Sequence, residues 1–312
     1  MFGQFKTLPQ LLDFFKDDAT CIAYWEQARW RGNVTCPHCK AEKPYKTNRG
    51  YKCTNRACQK KFSALTGSIF ANTKLPLRTW FAATYLCTSH KKGISSLQLS
   101  RMLGIHQKSS WFLLHRIRQM LKDRMPVVLE GIIEADESFV GGKNKNRHWD
   151  KKVKGSQGRS RKDKTPVVGL VARGGKVVTF VTADTDKETL HQIIDNNVAN
   201  GATIVTDAYH SYRGLDENYK HVIVKHTAGN FFVHRENGVD YHTQHIEGYW
   251  SSIKRGYVGV YHYMSPKHLQ RYCDEYAFRY NTRTITDQER FEQAILLGIG
   301  THLRYDTLIG KS

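Results

Sequence analysis

Four cysteines in two close pairs constrain this chain more than any other feature. Cys36-Pro37-His38-Cys39 forms the first pair; thirteen residues then separate Cys39 from Cys53, and four more separate Cys53 from Cys58. Two short knuckles joined by a polar hairpin have the spacing of a zinc ribbon. Four thiolates close a tetrahedral site with no open position, so a zinc ion held by Cys36, Cys39, Cys53 and Cys58 is structural. Four unrelated buried thiols would not explain the pairing. His38 is an alternative ligand, but it lies between the pair and is expected to face solvent. So small a module has almost no core of its own, and metal binding is expected to be coupled to its folding. Cys21, Cys87 and Cys273 sit in apolar helical contexts and read as core residues. An odd total of seven cysteines, four of them paired for metal, indicates a reducing compartment rather than a disulfide framework.

Helical patterns flank the ribbon. Residues 8–30 read as a helix, with Leu11, Leu12, Phe14, Phe15, Ile22, Tyr24 and Trp25 as its core side. Three more helices are predicted at Leu75–Thr88, Ser95–Leu103 and His106–Leu121, with Gly104 stopping the second. Leu97, Met102, Leu103, Ile105, Phe112 or Leu113, and Ile117 are the core candidates of the last two. A short helix, a glycine turn and a second helix outline a helix-turn-helix. Gln107, Lys108, Ser109 and Ser110 then open the recognition helix, where base edges are met. The competing reading is a helical bundle that only packs the zinc module.

From about residue 127 the pattern changes to strands. Val127–Val140 is rich in branched apolar residues, and alternation puts Glu134, Asp136 and Ser138 on one face and Glu137 on the other. Pro166–Arg173 and Lys176–Thr182 follow as strands about a Gly174-Gly175 turn. A helix over Lys187–Asn200 leads to a fourth strand, Ala202–Thr206, closed by Asp207. Residues 208–245 read as irregular. Ile246–Arg255 reads as a helix ended by Gly256, with Glu247, Ser251 and Lys254 on one stripe. A last helix runs from a Ser265-Pro266 start to Asn281, burying Leu269, Cys273, Tyr276 and Tyr280. Asp136 on a strand, Asp207 at a strand end and Glu247 on a helix can converge only in a folded core. Converged, they suit two divalent ions about 4 Å apart, the arrangement that serves phosphodiester chemistry. Taken alone, Glu247 and Lys254 read more readily as a solvated pair on a surface helix.

Charge bears on the substrate. The formal net charge is +20, from 48 Lys and Arg against 28 Asp and Glu. Such an excess favours a polyanionic partner. Residues 143–164 alone hold ten Lys or Arg against two Asp. This insertion directly follows the Asp136 strand, so phosphate contact by Lys151, Lys152 and Lys154 is expected, although charge runs are often only solvated loops. No run of about 18 apolar residues exists, and the N-terminus carries Asp13, Asp17 and Asp18 without an apolar stretch. A cytoplasmic site of action is expected.

The motifs CPHC with CTNRAC, FSALTGSIF, GISSLQLSRMLGIHQKSSWFLLHRIR, IEADESFVGGK, VTDAYHSYRGL and HIEGYWSSIKRGYVGVYHYMSPKHLQRYCDEYAFRYNTR together resemble one family. It is that of DDE-type insertion-sequence transposases with an N-terminal zinc ribbon and a ribonuclease H-like catalytic domain. The resemblance covers nearly the whole chain. It implies an α/β fold with a ribonuclease H-like mixed sheet and flanking helices. A zinc ribbon with an N-terminal helix (1–70) and a helix-turn-helix region (71–125) precede the catalytic domain (126–312). It implies that Asp136, Asp207 and Glu247 bind two Mg²⁺ ions, for which Mn²⁺ can substitute, with Lys254 as the lysine beyond the third acid. In some relatives an asparagine holds the third position, and His245 and Gln244 lie beside Glu247, so the register of that ligand stays open. The implied reaction hydrolyses strands at the element's ends to expose 3′-hydroxyls and joins these to target DNA, with no covalent protein–DNA intermediate. The implied partners are double-stranded DNA, both element ends and target, and further copies of the chain in a dimer or larger assembly. A DNA-binding regulator without catalysis and a stand-alone ribonuclease H-like nuclease are the alternatives.

Overall fold

A computed structural model describes residues 5–142, 144, 148–155, 160, 162–225 and 234–311. The chain forms two compact units, residues 1–122 with 284–312, and residues 123–283. The second unit ends at Arg283, short of the 126–312 span expected for the catalytic domain.

The first unit opens with α1 (Leu8–Phe14) and α2 (Asp18–Trp30), two helices where the sequence pattern suggests one. Asp17 makes the break: its carboxylate accepts the Thr20 N–H at 2.7 Å and caps α2. The ribbon follows as an antiparallel sheet of β1 (Tyr45–Thr47), β2 (Gly50–Lys52) and β3 (Lys61–Phe62). Gly50 turns this hairpin at φ +129°, and a Cβ there would stand 2.5 Å from the Phe62 carbonyl oxygen. Three helices come next, α3 (Leu77–Ser89), α4 (Ser96–Leu103) and α5 (Gln107–Leu121). Gly104 closes α4 at φ 64°, as its sequence position requires. Leu99 is the buried residue of α4, whereas Leu97 (50% exposed) and Met102 (46%) face outward. Those two, and Ile22 at 38%, are corrections to the expected core. On so short a helix only a narrow stripe can face inward.

The second unit is built on a five-stranded sheet. Its elements are β4 (Ile132–Val140), β5 (Thr165–Ala172), β6 (Val177–Val181), α6 (Lys187–Asn197), β7 (Thr203–Thr206) and β8 (Lys220–Ile223). A small hairpin of β9 (His234–Glu236) and β10 (Val239–Tyr241) leads to α7 (Gln244–Gly256) and α8 (Pro266–Asn281). The sheet order is β6-β5-β4-β7-β8; β4–β5 and β5–β6 pair antiparallel, while β4–β7 and β7–β8 pair parallel. This is the ribonuclease H-like order. Ile133, Ala135 and Ile204 pack on one side with Leu190 and Ile194 of α6. On the other side Val140, Val167 and Val171 pack with Ile246, Trp250 and Ile253 of α7 and Leu269 and Cys273 of α8. Strand β8 lies within the stretch that reads as irregular in sequence. Helix α7 ends at Gly256 as expected, but the chain continues through a π-helical turn over Tyr257–Tyr261, and His262 stops it at φ 57°.

The chain then re-enters the first unit with α9 (Asp287–Leu296) and α10 (Tyr305–Ile309). Phe291 of α9 meets Phe81 at 5.4 Å and Phe5 at 5.5 Å, both edge-on, and Phe15 meets Phe81 at 4.9 Å. Aromatic burial of this size ties the C-terminal segment to the N-terminal helices. Among the described residues no helix is long and apolar enough to cross a membrane.

Candidate active site and metal centres

Strand pairing places the two aspartates. Ile132 pairs with Thr203, Ile133 with Ile204 and Glu134 with Val205 across the parallel β4–β7 ladder. Continued by two residues, this register sets Asp136 opposite Asp207, the first residue beyond β7. Paired residues on parallel strands share a face, with neighbouring strands about 4.8 Å apart. Asp136 stands on the side covered by α7, and Trp250 Nε1 of that helix donates to its Oδ2 at 3.1 Å. Asp207 Oδ1 accepts the Tyr209 N–H at 2.9 Å. Glu137 points the opposite way, as alternation requires, and accepts from the buried Tyr212 hydroxyl at 2.7 Å. Burial and the nearby Glu137, Asp136 and Asp207 carboxylates hold the Tyr212 phenol well above its ordinary pKa.

Glu247 sits in the first turn of α7, and its Oε1 accepts from the Thr243 hydroxyl at 2.8 Å. Lys254 is exposed seven residues on, about two helical turns along the same stripe. The three acids each hold a different partner, and among the described residues they are not in the groups of His, Cys, Asp or Glu whose ligand atoms all lie within 4.8 Å of one another. Carboxylates repel without a cation between them, so separate partners are the expected arrangement. Oxygen donors of this kind fit a hard divalent ion such as Mg²⁺.

A second acid stands on the same face. Glu134, 0% exposed, accepts from the backbone N–H of His245 (2.8 Å) and of Ile246 (3.1 Å) and lies 2.7 Å from His245 Nδ1. His242 Nδ1 and an Arg173 guanidinium nitrogen lie 3.3 and 3.5 Å away. Burial, and then the neighbouring Arg173 charge, push the His242 pKa down. Gly169 completes the wall. It pairs with Asp136 across β4–β5, and a Cβ there would meet Trp250 Cζ2 at 2.7 Å and Ile246 Cδ1 at 2.8 Å. The bare backbone lets α7 lie against the sheet beside Asp136.

The zinc centre is compact. The sulfurs of Cys36, Cys39, Cys53 and Cys58 lie within 4.8 Å of one another. Cys36 and Cys58 sulfurs are 3.9 Å apart and those of Cys39 and Cys53 3.4 Å. Zn–S bonds of about 2.3 Å make the edge of a tetrahedron roughly 3.8 Å, so the four residues fit the ion. Each knuckle closes on a left-handed residue, Lys40 (φ 64°) and Gln59 (φ 47°). Burial works against the Cys36 thiolate, but the backbone N–H groups of Cys39 and His38 are aimed at its sulfur and bring its pKa down to about 7.

Residues 128–281 match the model of the ISXO2-like transposase domain, and residues 16–61 match that of the transposase zinc-ribbon domain. The chain therefore carries a stretch similar to a transposase zinc ribbon, followed by one similar to the ISXO2-like transposase domain. A curated relative, an uncharacterized protein in the transposable element ISH50 of Halobacterium salinarum, is 28% identical over 267 residues, covering 81% of this chain and 87% of that protein. Among solved structures, the Mos1 strand transfer complex aligns at TM-score 0.28 and 12% identity, covering 72% of this chain and 79% of that one. The Mos1 paired-end complex aligns at the same TM-score and identity, covering 69% and 74%.

Gln107 and Lys108 at the start of α5 are exposed and Ser109 is half-buried. Gln107 Nε2 donates to Ser96 Oγ at 2.9 Å, and the Lys108 ammonium lies 5.2 Å from the centre of the Tyr305 ring. Ser110 is a correction: it is 0% exposed, turned into the helical core, and cannot reach a base edge from there. Lys151, Lys152 and Lys154 are exposed. Other parts of the expected 143–164 insertion (143, 145–147, 156–159 and 161) lie outside the described residues. Sequence pattern alone does not single out Gly169, His242 or Arg173. A lone glycine inside a strand was the available signal for the first.

Proposed function

We propose that this transposase cuts DNA at element ends and joins the exposed 3′-hydroxyls to target DNA at a two-metal site made by Asp136, Asp207 and Glu247. The observation that carries this reading is the register of β4 and β7. Carried on by two residues, that register would bring Asp136 and Asp207 side by side, and the helix that bears Glu247 and Lys254 packs over the Asp136 face. Asp136 would share both ions, and Asp207 and Glu247 would each hold one. Bound there, the ions supply an activated oxygen nucleophile and charge stabilisation of the departing oxygen. Lys254 steadies a phosphate oxygen as a point charge. For Glu247 to join the aspartates, its carboxylate must release the Thr243 hydroxyl.

The zinc of the ribbon is structural, its four cysteines closing the coordination shell. Gln107, Lys108 and Ser109 are proposed to meet element-end DNA, and Lys151, Lys152 and Lys154 to contact phosphates. Both ends must be held together for joining, so a dimer or larger assembly on DNA is proposed.

A supercoiled-plasmid assay with labelled element ends and Mg²⁺ separates the readings. A transposase cuts and joins, a nuclease only cuts, and a regulator only binds. Asp136→Asn and Asp207→Asn are expected to bind ends normally and to lose cleavage by at least about 10³-fold. Cleavage at the normal rate by Asp207→Asn would sink the assignment.

A further inference from the structure

Helix α7 carries Glu247 and Lys254, so whatever fixes its start fixes their position. The first backbone N–H groups of a helix have no partner inside it, and an N-cap side chain ordinarily takes those of the second and third residues. Here Gln244 is first, His245 second and Ile246 third. Thr243, at the N-cap, is a residue type suited to the task, yet it makes no side-chain cap bond; its hydroxyl donates to Glu247 instead. The two N–H groups are taken by Glu134 Oε2, at 2.8 and 3.1 Å, from the central strand of the sheet.

We propose that Glu134 is a positioning residue, an N-cap supplied by the strand of Asp136, which locks the register of α7 against the sheet. The inference rests on Asp136, Asp207 and Glu247 being the catalytic acids. Glu134 is fully buried and stands two residues before Asp136 on the same face, about 6.6 Å along the strand. The residue it holds, Ile246, directly precedes Glu247. A helix that slipped by one residue would rotate by about 100° and carry Glu247 away from the aspartates. The negative charge also lies at the helix end where the backbone dipoles favour it. Oε1 completes the clamp, facing His245 Nδ1 at 2.7 Å and Arg173 at 3.5 Å, with His242 Nδ1 at 3.3 Å.

Glu134, His242 and His245 also form one of the groups close enough to hold an ion. The carboxylate's bonds argue for the clamp instead. One oxygen accepts two amides, and the other already faces an imidazole and a guanidinium, whose fixed charge opposes a further cation.

The test uses Glu134→Gln in the full-length, zinc-loaded protein. Gln keeps the shape and one acceptor but loses the charge and the second acceptor. The expected variant folds, binds element ends within about 3-fold of wild type, and cleaves about 10–100-fold more slowly, with the Mg²⁺ midpoint raised about 10-fold. A role confined to stability would lower the melting temperature and leave the Mg²⁺ midpoint of the folded protein unchanged; that result overturns the proposal. So does cleavage within 2-fold of wild type. Loss of one tightly bound Zn²⁺ or Mn²⁺ per chain on going from wild type to Glu134→Gln would show an ion site and likewise overturn it. If the variant does not fold, amide hydrogen exchange on wild type decides. The His245 and Ile246 amides are expected to be protected, and exchange at the rate of an open helix start refutes the clamp. Asp207→Asn is run alongside. Normal cleavage by that variant removes the parent reading, whereas its loss combined with a wild-type-like Glu134→Gln removes only this one.

Discussion

Gly169→Ala places one methyl group where the structure has no room. The added carbon would lie 2.7 and 2.9 Å from Trp250 Cζ2 and Cη2, and 2.8 Å from Ile246 Cδ1. Carbon atoms settle at about 3.5–4.0 Å, so the indole must retreat by roughly 1 Å. Overpacking of that kind costs about 1–3 kcal/mol. For a unit of this size each kcal/mol lowers Tm by roughly 2–4 °C, so a fall of about 2–12 °C is expected. The retreat also stretches the 3.1 Å bond from Trp250 Nε1 to Asp136 Oδ2 to about 4 Å, beyond hydrogen-bond range. A misplacement near 1 Å can cost about 10²-fold in rate, so cleavage is expected to slow by roughly one to two orders of magnitude. Calorimetry and Mg²⁺-dependent cleavage of a labelled element end measure the two effects. Trp250→Phe separates them, because it removes the donor while Gly169 stays bare; it is expected to slow cleavage with a smaller loss of Tm. A Gly169→Ala protein that melts within 1 °C of wild type and cleaves at its rate would refute the packing argument.

Other expectations follow from the same geometry. Cys39→Ser, or a strong chelator, is expected to unfold residues 30–70, since structural zinc contributes about 10–16 kcal/mol to such modules; limited proteolysis should show the ribbon cut while the 123–283 unit persists. Purified protein containing no zinc would defeat this expectation. Alanine at Lys151, Lys152 and Lys154 should weaken binding to all DNA sequences alike and lower the salt slope by up to about 3; an unchanged slope means the lysines do not touch phosphate. Tyr212→Phe deletes the 2.7 Å bond to buried Glu137 and should cost about 1–3 kcal/mol in denaturant unfolding, and a neutral result would show that Glu137 finds another donor.

Most of the local structure was legible in the chain. The cysteine spacing gave the ribbon, Gly104 the turn between α4 and α5, and Ser265-Pro266 the start of α8. These signals are local, because a ligand pair, a left-handed turn residue or a helix cap acts within a few positions. Alternation correctly put Asp136 and Glu137 on opposite faces. Elements with little burial pattern of their own were not legible. Strand β8 has four residues, and it exists because β7 offers it an edge. Burial of Ser110 and exposure of Leu97 depend on which neighbours surround a short helix.

The sequence by itself determined the zinc ligands, the helix and strand types, and the face on which Asp136 lies, since each is set by bonding or periodicity along a short stretch. Only the tertiary structure decided which distant residues meet. It paired Asp136 with Gly169, aimed Glu134 at the start of α7 across 111 residues, and returned α9 to the N-terminal helices. Such contacts follow from strand register and from the closing of long loops. Neither leaves a mark in the residues on either side, because the chain between them can be nearly anything that spans the gap.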